Sequence, residues 1–285
     1  MKPTKYCIRL IIGSVSSLLA TNALATTLLF NDFSDISDLQ LNYNASQSGD
    51  VLRLTSADYW QRGSAFSTSS ISLDSDASFS SAFQFQITGS GGSSDNDGYG
   101  ADGIVFTVQT ASNTAGGAGN GIGYLGLDNS VGIEFDTWNN GGYDENNGNH
   151  VGIDINGNIN SVDQIGVDTR MNNGDIWSAW VDYNGVSDIL EVRLAQGAEA
   201  ARPLDALLSY GVDLSTILGT TNAYVGFTSA TGAAYGNHDV LAWEFNSTYA
   251  PIDQIGNNIP EPATIALLSL GLPGLIFSRR RKSLL

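Results

Sequence analysis

The sequence predicts an all-β protein, a sandwich of antiparallel sheets, and three observations carry that expectation. Short apolar runs alternate with polar residues, the period of strands with one buried face. Clusters of Gly, Asn, Asp and Ser divide these runs at the spacing of a sandwich or barrel. Helical periodicity is weak and confined to the surroundings of "LDALLSY" (204–210).

Taken in chain order, the first segment is "MKPTKYCIRLIIGSVSSLLATNALA". Lys2, Lys5 and Arg9 give it a basic start, Ile8 to Ala20 an apolar middle, and Ala23-Leu24-Ala25 a cleavage motif. These features read as a secretory signal peptide over residues 1–25, set aside from the fold; the run is short for an anchor helix. The body follows at 26–250. Its expected strands are "FSSAFQFQI", "DGIVFTVQ", "VGIEFDTW", "HVGIDI", "IWSAWVDY", "ILEVRLA", "AYVGFTSA" and "VLAWEF". "NGNIN" and "YNGVSD" read as hairpin turns in which Asn-Gly supplies positive φ. "GSGGSSDNDGYG", Gly89 to Gly100, reads as a mobile low-complexity loop. A linker at 251–259 leads to a C-terminal segment at 260–285.

Charge and cysteine usage narrow the function classes. The chain has 12 Lys+Arg and 29 Asp+Glu. Between the terminal segments only Arg53, Arg62, Arg170, Arg193 and Arg202 are basic, against 28 acidic residues, a net charge of −23. Nucleic-acid binding needs phosphate-neutralising cations and is excluded as a reading. An acidic body suits solubility and the binding of cations. The one cysteine, Cys7, lies in the signal peptide. An exported body without disulfides needs a good core or another staple, and bound metal is a candidate.

The stretch with most chemistry is "EFDTWNNGGYDENNGNH", Glu134 to His150. In a strand, residues i and i+2 share a face, so Glu134 and Asp136 point the same way. Unpaired, they repel and raise one another's pKa. A cation removes that conflict. Asn140, Asp144 and the Trp138 carbonyl offer further hard oxygens, which suit Ca²⁺. His150 adds an imidazole, which suits a transition metal such as Mn²⁺. On the residues alone, a solvated acidic turn beside a surface histidine fits equally.

The stretch resembles the metal loop of the legume, or L-type, lectins and their bacterial relatives. The residues that carry the likeness are Glu134-Phe135-Asp136-Thr137-Trp138, Asn140, Tyr143-Asp144 and His150-Val151-Gly152-Ile153-Asp154. "ADGIVF" from Ala101, "GIGYLG" from Gly121 and "VGFTSATGAAYGNHDVLAWEFNS" follow that family's other motifs in order, so the likeness runs from about Asn31 to Ser247. It implies a concanavalin-like jelly-roll β-sandwich. It implies that Glu134 and His150 hold the transition metal (Mn²⁺ or another) and that Asp136 and Asp144 bridge both ions. Asn140 and the Trp138 carbonyl would complete the Ca²⁺ site. "DENN" departs from the family pattern, so Glu145 stands as an alternative to Asp144. For sugar it implies Asp102, after a cis Ala101–Asp102 peptide, the Gly123 amide, Asn140, the apolar face of Trp138, and the backbone at Ala233 and Ala234. His238, beside the same motif, reads as structural.

At the C-terminal end, Pro260-Glu261-Pro262 precedes a mostly apolar run, Ala263 to Phe277, and a basic cluster, Arg279 to Lys282. The run is shorter than the ~20 residues of a comfortable membrane span. The order of turn, span and basic end resembles the PEP-CTERM sorting tail of Gram-negative bacteria. In that family an exosortase cuts near the Pro-Glu-Pro motif and releases or attaches the protein outside. The likeness implies export through the inner membrane, held there transiently by the tail, to the cell surface or extracellular space. A plain C-terminal anchor is the alternative.

Three function classes then compete. The first is a calcium-dependent lectin binding glycans or exopolysaccharide. The second is a matrix or adhesion protein with the fold but without sugar binding. The third is a glycoside hydrolase of the laminarinase type, which shares the architecture and uses Glu-x-Asp-x-x-Glu on one strand. Here Asn139 stands at the third position, and retaining hydrolysis needs two carboxyl groups, one acting as acid. The expectation is therefore a binding protein and not an enzyme.

Overall fold

A computed structural model describes residues 25–73, 76–117 and 119–255. The segment read as a signal peptide, up to residue 24, the expected linker beyond 255 and the C-terminal segment read as a sorting tail lie outside the described residues. Sixteen strands are present: β1 (Thr27–Phe30), β2 (Leu39–Tyr43), β3 (Ser46–Ser48), β4 (Val51–Thr55), β5 (Arg62–Ser67), β6 (Ile71–Ser72), β7 (Phe79–Gly92), β8 (Gly103–Gln109), β9 (Ser130–Asp136), β10 (His150–Ile155), β11 (Asn158–Gly166), β12 (Ile176–Asn184), β13 (Ile189–Gln196), β14 (Leu208–Gly211), β15 (Asn222–Ala230) and β16 (Ala234–Asn246). Every strand expected from the apolar alternation overlaps one of them; "DGIVFTVQ" begins one residue before β8 and "VGIEFDTW" runs two residues past the end of β9.

They form two eight-stranded antiparallel sheets. One runs β14-β13-β12-β7-β16-β4-β3, with β1 beside β4 on the same edge of β16. The other runs β11-β10-β9-β8-β15-β5-β2, with β6 also on β15. The main core lies between them. It includes Phe83, Phe85, Phe106, Phe135, Phe227 and Trp243, whose rings meet mostly edge-on or tilted. Burying rings of this size supplies most of the folding drive in a body that has no disulfide. A second, smaller cluster of Phe66, Val105, Ile122, Tyr124 and Leu127 covers the other face of the second sheet. It forms because residues 112–117 and 119–127 fold back over that face. Thr228 Oγ1 donates to the Ile122 carbonyl at 2.8 Å and Ser64 Oγ donates to the Ala115 carbonyl.

Local expectations are corrected at two places. "LDALLSY" is not helical: its last residues enter β14, paired with β13. The one described α-helix is Leu214–Leu218, where Asp213 accepts the Thr216 N–H and Gly219 closes the end in a left-handed conformation. "YNGVSD" turns without positive φ at Asn184 or Gly185; the left-handed residue is Asp188. Gly185 serves close approach instead, since a Cβ there would lie 1.9 Å from the Asp76 carbonyl oxygen. "NGNIN" turns as expected, with Asn156 at φ 54° and Gly157 at 69°. Among the described residues no helix is long and apolar enough to cross a membrane.

Candidate functional site

Register decides which side chains meet. On β9, Val131, Ile133 and Phe135 point into the main core, so Glu134 and Asp136 point out of it. Across the pairing with β10, His150 faces Asp136 and Gly152 faces Glu134. Ligand atoms of Glu134, Asp136 and His150 all lie within 4.8 Å of one another. His150 Nε2 is 3.2 Å from Glu134 Oε1. The Ser161 hydroxyl, on β11, lies 2.6 Å from Glu134 Oε1 and 2.8 Å from Asp154 Oδ1. Its single proton serves one carboxylate at a time.

The loop after β9 folds back to bring in a fourth acid. Asp136 Oδ1 accepts the Trp138 N–H at 2.6 Å, which starts the turn. A 3-10 turn at Gly141–Asp144 follows, and Asp144 accepts the Asn140 N–H. Glu145 then takes φ 52°, so the chain reverses there. Asp144 is buried and Glu145 is exposed. Of the two acids left open by the sequence, Asp144 is the one turned toward the cluster. Trp138 and Asn140 are half-buried at its rim.

The electrostatics are those of a cluster waiting for positive charge. Asp136 is held well above the usual carboxylate range, by burial first and then by the charges of Glu134 and Asp144. Burial is also the main cause of the rise of Asp144 to about 6. Burial opposes a charged His150, but Glu134 and Asp144 outweigh it and raise its pKa. Carboxylates buried together are costly without a compensating cation. The donors are hard oxygens with a single imidazole, a set that fits Ca²⁺ beside a transition metal such as Mn²⁺.

Asp102 lies one strand away in the same rank. It precedes Gly103, which pairs with Asp136, and follows a cis Ala101–Asp102 peptide. Its backbone is tied on both sides: its N–H donates to the Ala230 carbonyl at 3.2 Å and its carbonyl accepts the Thr137 N–H at 2.9 Å. The side chain is only 3% exposed, and Oδ2 has no hydrogen-bond partner among the described residues. Burial lifts its pKa to about 7. Gly123 is buried at φ 76°, and a Cβ there would meet Thr228 Cβ at 2.9 Å. That glycine lets the 112–127 loop lie close on β15. On the other flank, the 231–234 turn closes with the Gly232 N–H on the Ala234 carbonyl at 3.0 Å. Ala233 is exposed. Ala234 opens β16 opposite Gly92 and is only 2% exposed, so its side chain faces protein.

Several contributing residues carried no legible signal. The loop expected to be mobile braces the metal loop from outside. Asp95 Oδ2 accepts the Asn139 N–H and Asp97 Oδ2 accepts the Gly148 N–H, both at 2.9 Å. The signal available was the "DND" acids set within the Gly/Ser run, which the loop reading left unused. Gly152 is required by Glu134, which lies across it: a Cβ there would sit 2.5 Å from Glu134 Oε1. Ser161 and Asp154 enter the cluster through the register of β10 and β11, which the sequence does not state.

Comparison with known proteins agrees with this geometry. The family model described as legume lectin domain matches residues 25–260. The PEP-CTERM protein-sorting motif matches residues 258–282. The L-type lectin-domain containing receptor kinase VIII.1 of Arabidopsis thaliana is 30% identical over 223 residues, 76% of this chain and 29% of its own length. The L-type lectin-domain containing receptor kinase SIT2 of Oryza sativa subsp. japonica is 34% identical over 226 residues, 70% of this chain and 32% of its own. The chain thus spans about a third of the length of the curated relatives it matches. Among solved structures, a lectin from Bauhinia forficata in complex with GalNAc superposes with TM-score 0.66 at 26% identity, covering 78% of this chain and 97% of that one. The winged bean acidic lectin complexed with methyl-α-D-galactose gives 0.66 at 27% identity, covering 78% and 98%. These neighbours have the concanavalin-like jelly-roll β-sandwich, and the two antiparallel sheets here follow it. The chain belongs to the legume lectin domain family and ends in a PEP-CTERM sorting motif.

Proposed function

We propose that this protein is an exported lectin whose glycan site is assembled around bound Ca²⁺ and a transition metal such as Mn²⁺. One observation carries the reading. A buried cluster of carboxylates and one histidine stands in the same rank of the sheet as Asp102, whose buried carboxylate has a free acceptor oxygen. Glu134 and His150 would hold the transition metal, and Asp136 and Asp144 would bridge both ions. Asn140 and the Trp138 carbonyl would complete the Ca²⁺ site. The ions would supply positive charge that lets the carboxylates stay ionised together and the loop keep one conformation. Asp102 then accepts from sugar hydroxyls, the Gly123 amide and the Asn140 side-chain amide donate, and Trp138 lends an apolar face. At the specificity turn, Ala233 and Ala234 contribute through backbone alone.

The sorting motif supports export in a Gram-negative cell, with an exosortase-type enzyme as processing partner and transient residence in the inner membrane. The domain limits follow: signal peptide 1–25, lectin body 26–250, linker 251–259 and tail 260–285. A binding role is favoured over hydrolysis by Asn139. Its N–H is taken by Asp95, its side-chain oxygen accepts the Gly141 N–H at 2.7 Å, and it has no proton to give as an acid. The test is a glycan array with the exported protein in Ca²⁺ and Mn²⁺. Binding to a defined set of glycans supports the reading. An empty array that includes acidic and extracellular polysaccharides favours the matrix protein without sugar binding.

A further inference from the structure

We propose a second sugar subsite at the free end of β5, where Trp60 and Arg62 receive the next ring of a glycan chain and select one bearing a carboxylate, a hexuronic acid. The proposal rests on the reading of Asp102 as the primary sugar contact.

Position comes first. The rank that holds the metal cluster continues across the sheet: His150 faces Asp136, Asp136 faces Gly103, Gly103 faces Ala230, and Ala230 faces Arg62. At about 4.8 Å per strand, the Arg62 backbone lies about 10 Å from Gly103, within reach of two linked pyranose rings. The face is also the same. On β5, Phe66 enters the small cluster with Val105, and Val105 pairs with Glu134 on the face opposite the main core. Alternation places Ser64 and Arg62 on that face too.

Arg62 is chemically distinct from the body's other arginines. Arg53 bonds Asp239, Arg193 bonds Glu191, Arg202 bonds Asp182, and Arg170 bonds Asn172. The Arg62 guanidinium makes no hydrogen bond among the described residues. It stacks instead over the Tyr43 ring at 3.9 Å. That contact holds the guanidinium beside the ring and leaves its N–H groups without a hydrogen-bond partner among the described residues, able to receive a carboxylate through two parallel hydrogen bonds. In residues 26–259, with a net charge of −23, this is a local spot where an anionic ring is attracted.

Trp60 supplies the apolar half. It is 71% exposed and sits at φ 58°, a conformation rare for a bulky residue. The segment around it is pinned to the specificity turn. The Trp60 N–H donates to the Gly232 carbonyl at 3.2 Å, and its indole comes within 3.8 Å of where a Gly232 Cβ would stand. Thr231 Oγ1 donates to the Asp58 carbonyl at 2.7 Å and accepts the Gln61 N–H at 2.8 Å. Tyr59 packs edge-on against Tyr235 at 4.8 Å. An exposed indole on a backbone segment pinned to that turn is of no use to the core. It offers an apolar face to the C–H surface of a sugar ring.

The experiment is calorimetry on the full exported protein in Ca²⁺ and Mn²⁺. The probes are the methyl glycosides of galactose, N-acetylgalactosamine, mannose and glucose. Beside them stand the disaccharides joining each of these sugars to glucuronic acid, and the same disaccharides with the carboxyl reduced to the alcohol. The acidic disaccharide is expected to bind about tenfold more tightly than its methyl glycoside. Trp60→Ala and Arg62→Gln should remove that gain and leave the methyl glycoside unchanged, while Trp60→Phe restores most of it. Carboxyl reduction should weaken the wild type and leave Arg62→Gln unaffected. Wild-type affinity for the acidic disaccharide in either variant, or indifference to carboxyl reduction, overturns the subsite while the primary site stands. Failure of every methyl glycoside to bind, or binding unchanged in Asp102→Asn, overturns the primary reading and the subsite with it.

Discussion

Asp102 and Asp136 stand near one another across a single strand pairing but have different duties. In the proposed site Asp136 would be shared between two cations, whereas Asp102, whose Oδ2 has no hydrogen-bond partner among the described residues, would accept from sugar. Asp102→Asn should therefore abolish glycan binding and leave Ca²⁺ affinity nearly intact, because an amide donor replaces a charged acceptor of the same shape. Asp136→Asn should lose both. Calorimetry with Ca²⁺ and then with glycan separates the two, and equal loss of Ca²⁺ binding in both variants refutes the division. At this scale the sequence went some way: the spacing suggested that Glu134, Asp136 and His150 converge, as they do, though a solvated turn fitted the residues equally, and only the family likeness assigned them and the sugar contacts roles. It left Asp144 and Glu145 open, since adjacent acids differ only in which one the loop turns inward. Asp95, Asp97 and Ser161 were illegible because each acts through a contact made across the sheet or from a distant loop.

At the scale of elements, the strands were legible and their register was not. Alternation marks which residues share a face of one strand, so β7 to β10, β12, β13, β15 and β16 were largely anticipated, whereas β14 was read as weakly helical. β11 was missed because its exposed, polar pattern gives no buried face to read, and the N-terminal strands are too short to show a period. Register is what places Gly152 under Glu134. Gly152→Ala should force the Ser161 hydroxyl and the Glu134 carboxylate aside while leaving the sandwich folded, since the atoms nearest the new Cβ belong to side chains and not backbone, 2.3 Å to Ser161 Oγ and 2.5 Å to Glu134 Oε1. The expected result is a circular dichroism spectrum like wild type and a loss of the thermal stabilisation that Ca²⁺ and Mn²⁺ give. For wild type that stabilisation is about 2.7 kcal/mol at a hundredfold excess over Kd. An undiminished metal-induced rise in Tm for Gly152→Ala would show that Glu134 is not a ligand.

The whole molecule is held together by its aromatic core and by one polar thread between the sheets. His238 Nδ1 is 2.6 Å from Thr55 Oγ1, which lies 3.4 Å from Ser229 Oγ, which donates to the Gly103 carbonyl at 2.6 Å. The thread ends beside Asp102. His238 is fully buried, and burial lowers its pKa to about 3. A folded-state value below the unfolded one means that the unfolded chain takes up the proton first. The stability His238 contributes is therefore fully present above about pH 6.5 and is lost as pH falls toward about 3. One proton limits the slope to about 1.4 kcal/mol per pH unit. Urea unfolding of wild type and His238→Gln across that range should show wild type losing ground to the variant as pH falls; parallel curves would contradict the assignment.

The central claim is that the cations and the sugar share one site, so that removing the first removes the second without unfolding the body. It is tested most directly by one calorimetric series. The glycan selected on the array is titrated into the Ca²⁺- and Mn²⁺-loaded protein, then after chelation, then after both metals are restored. The account predicts binding, loss of binding with the far-ultraviolet circular dichroism unchanged, and full recovery. Glycan affinity that survives complete chelation would contradict it.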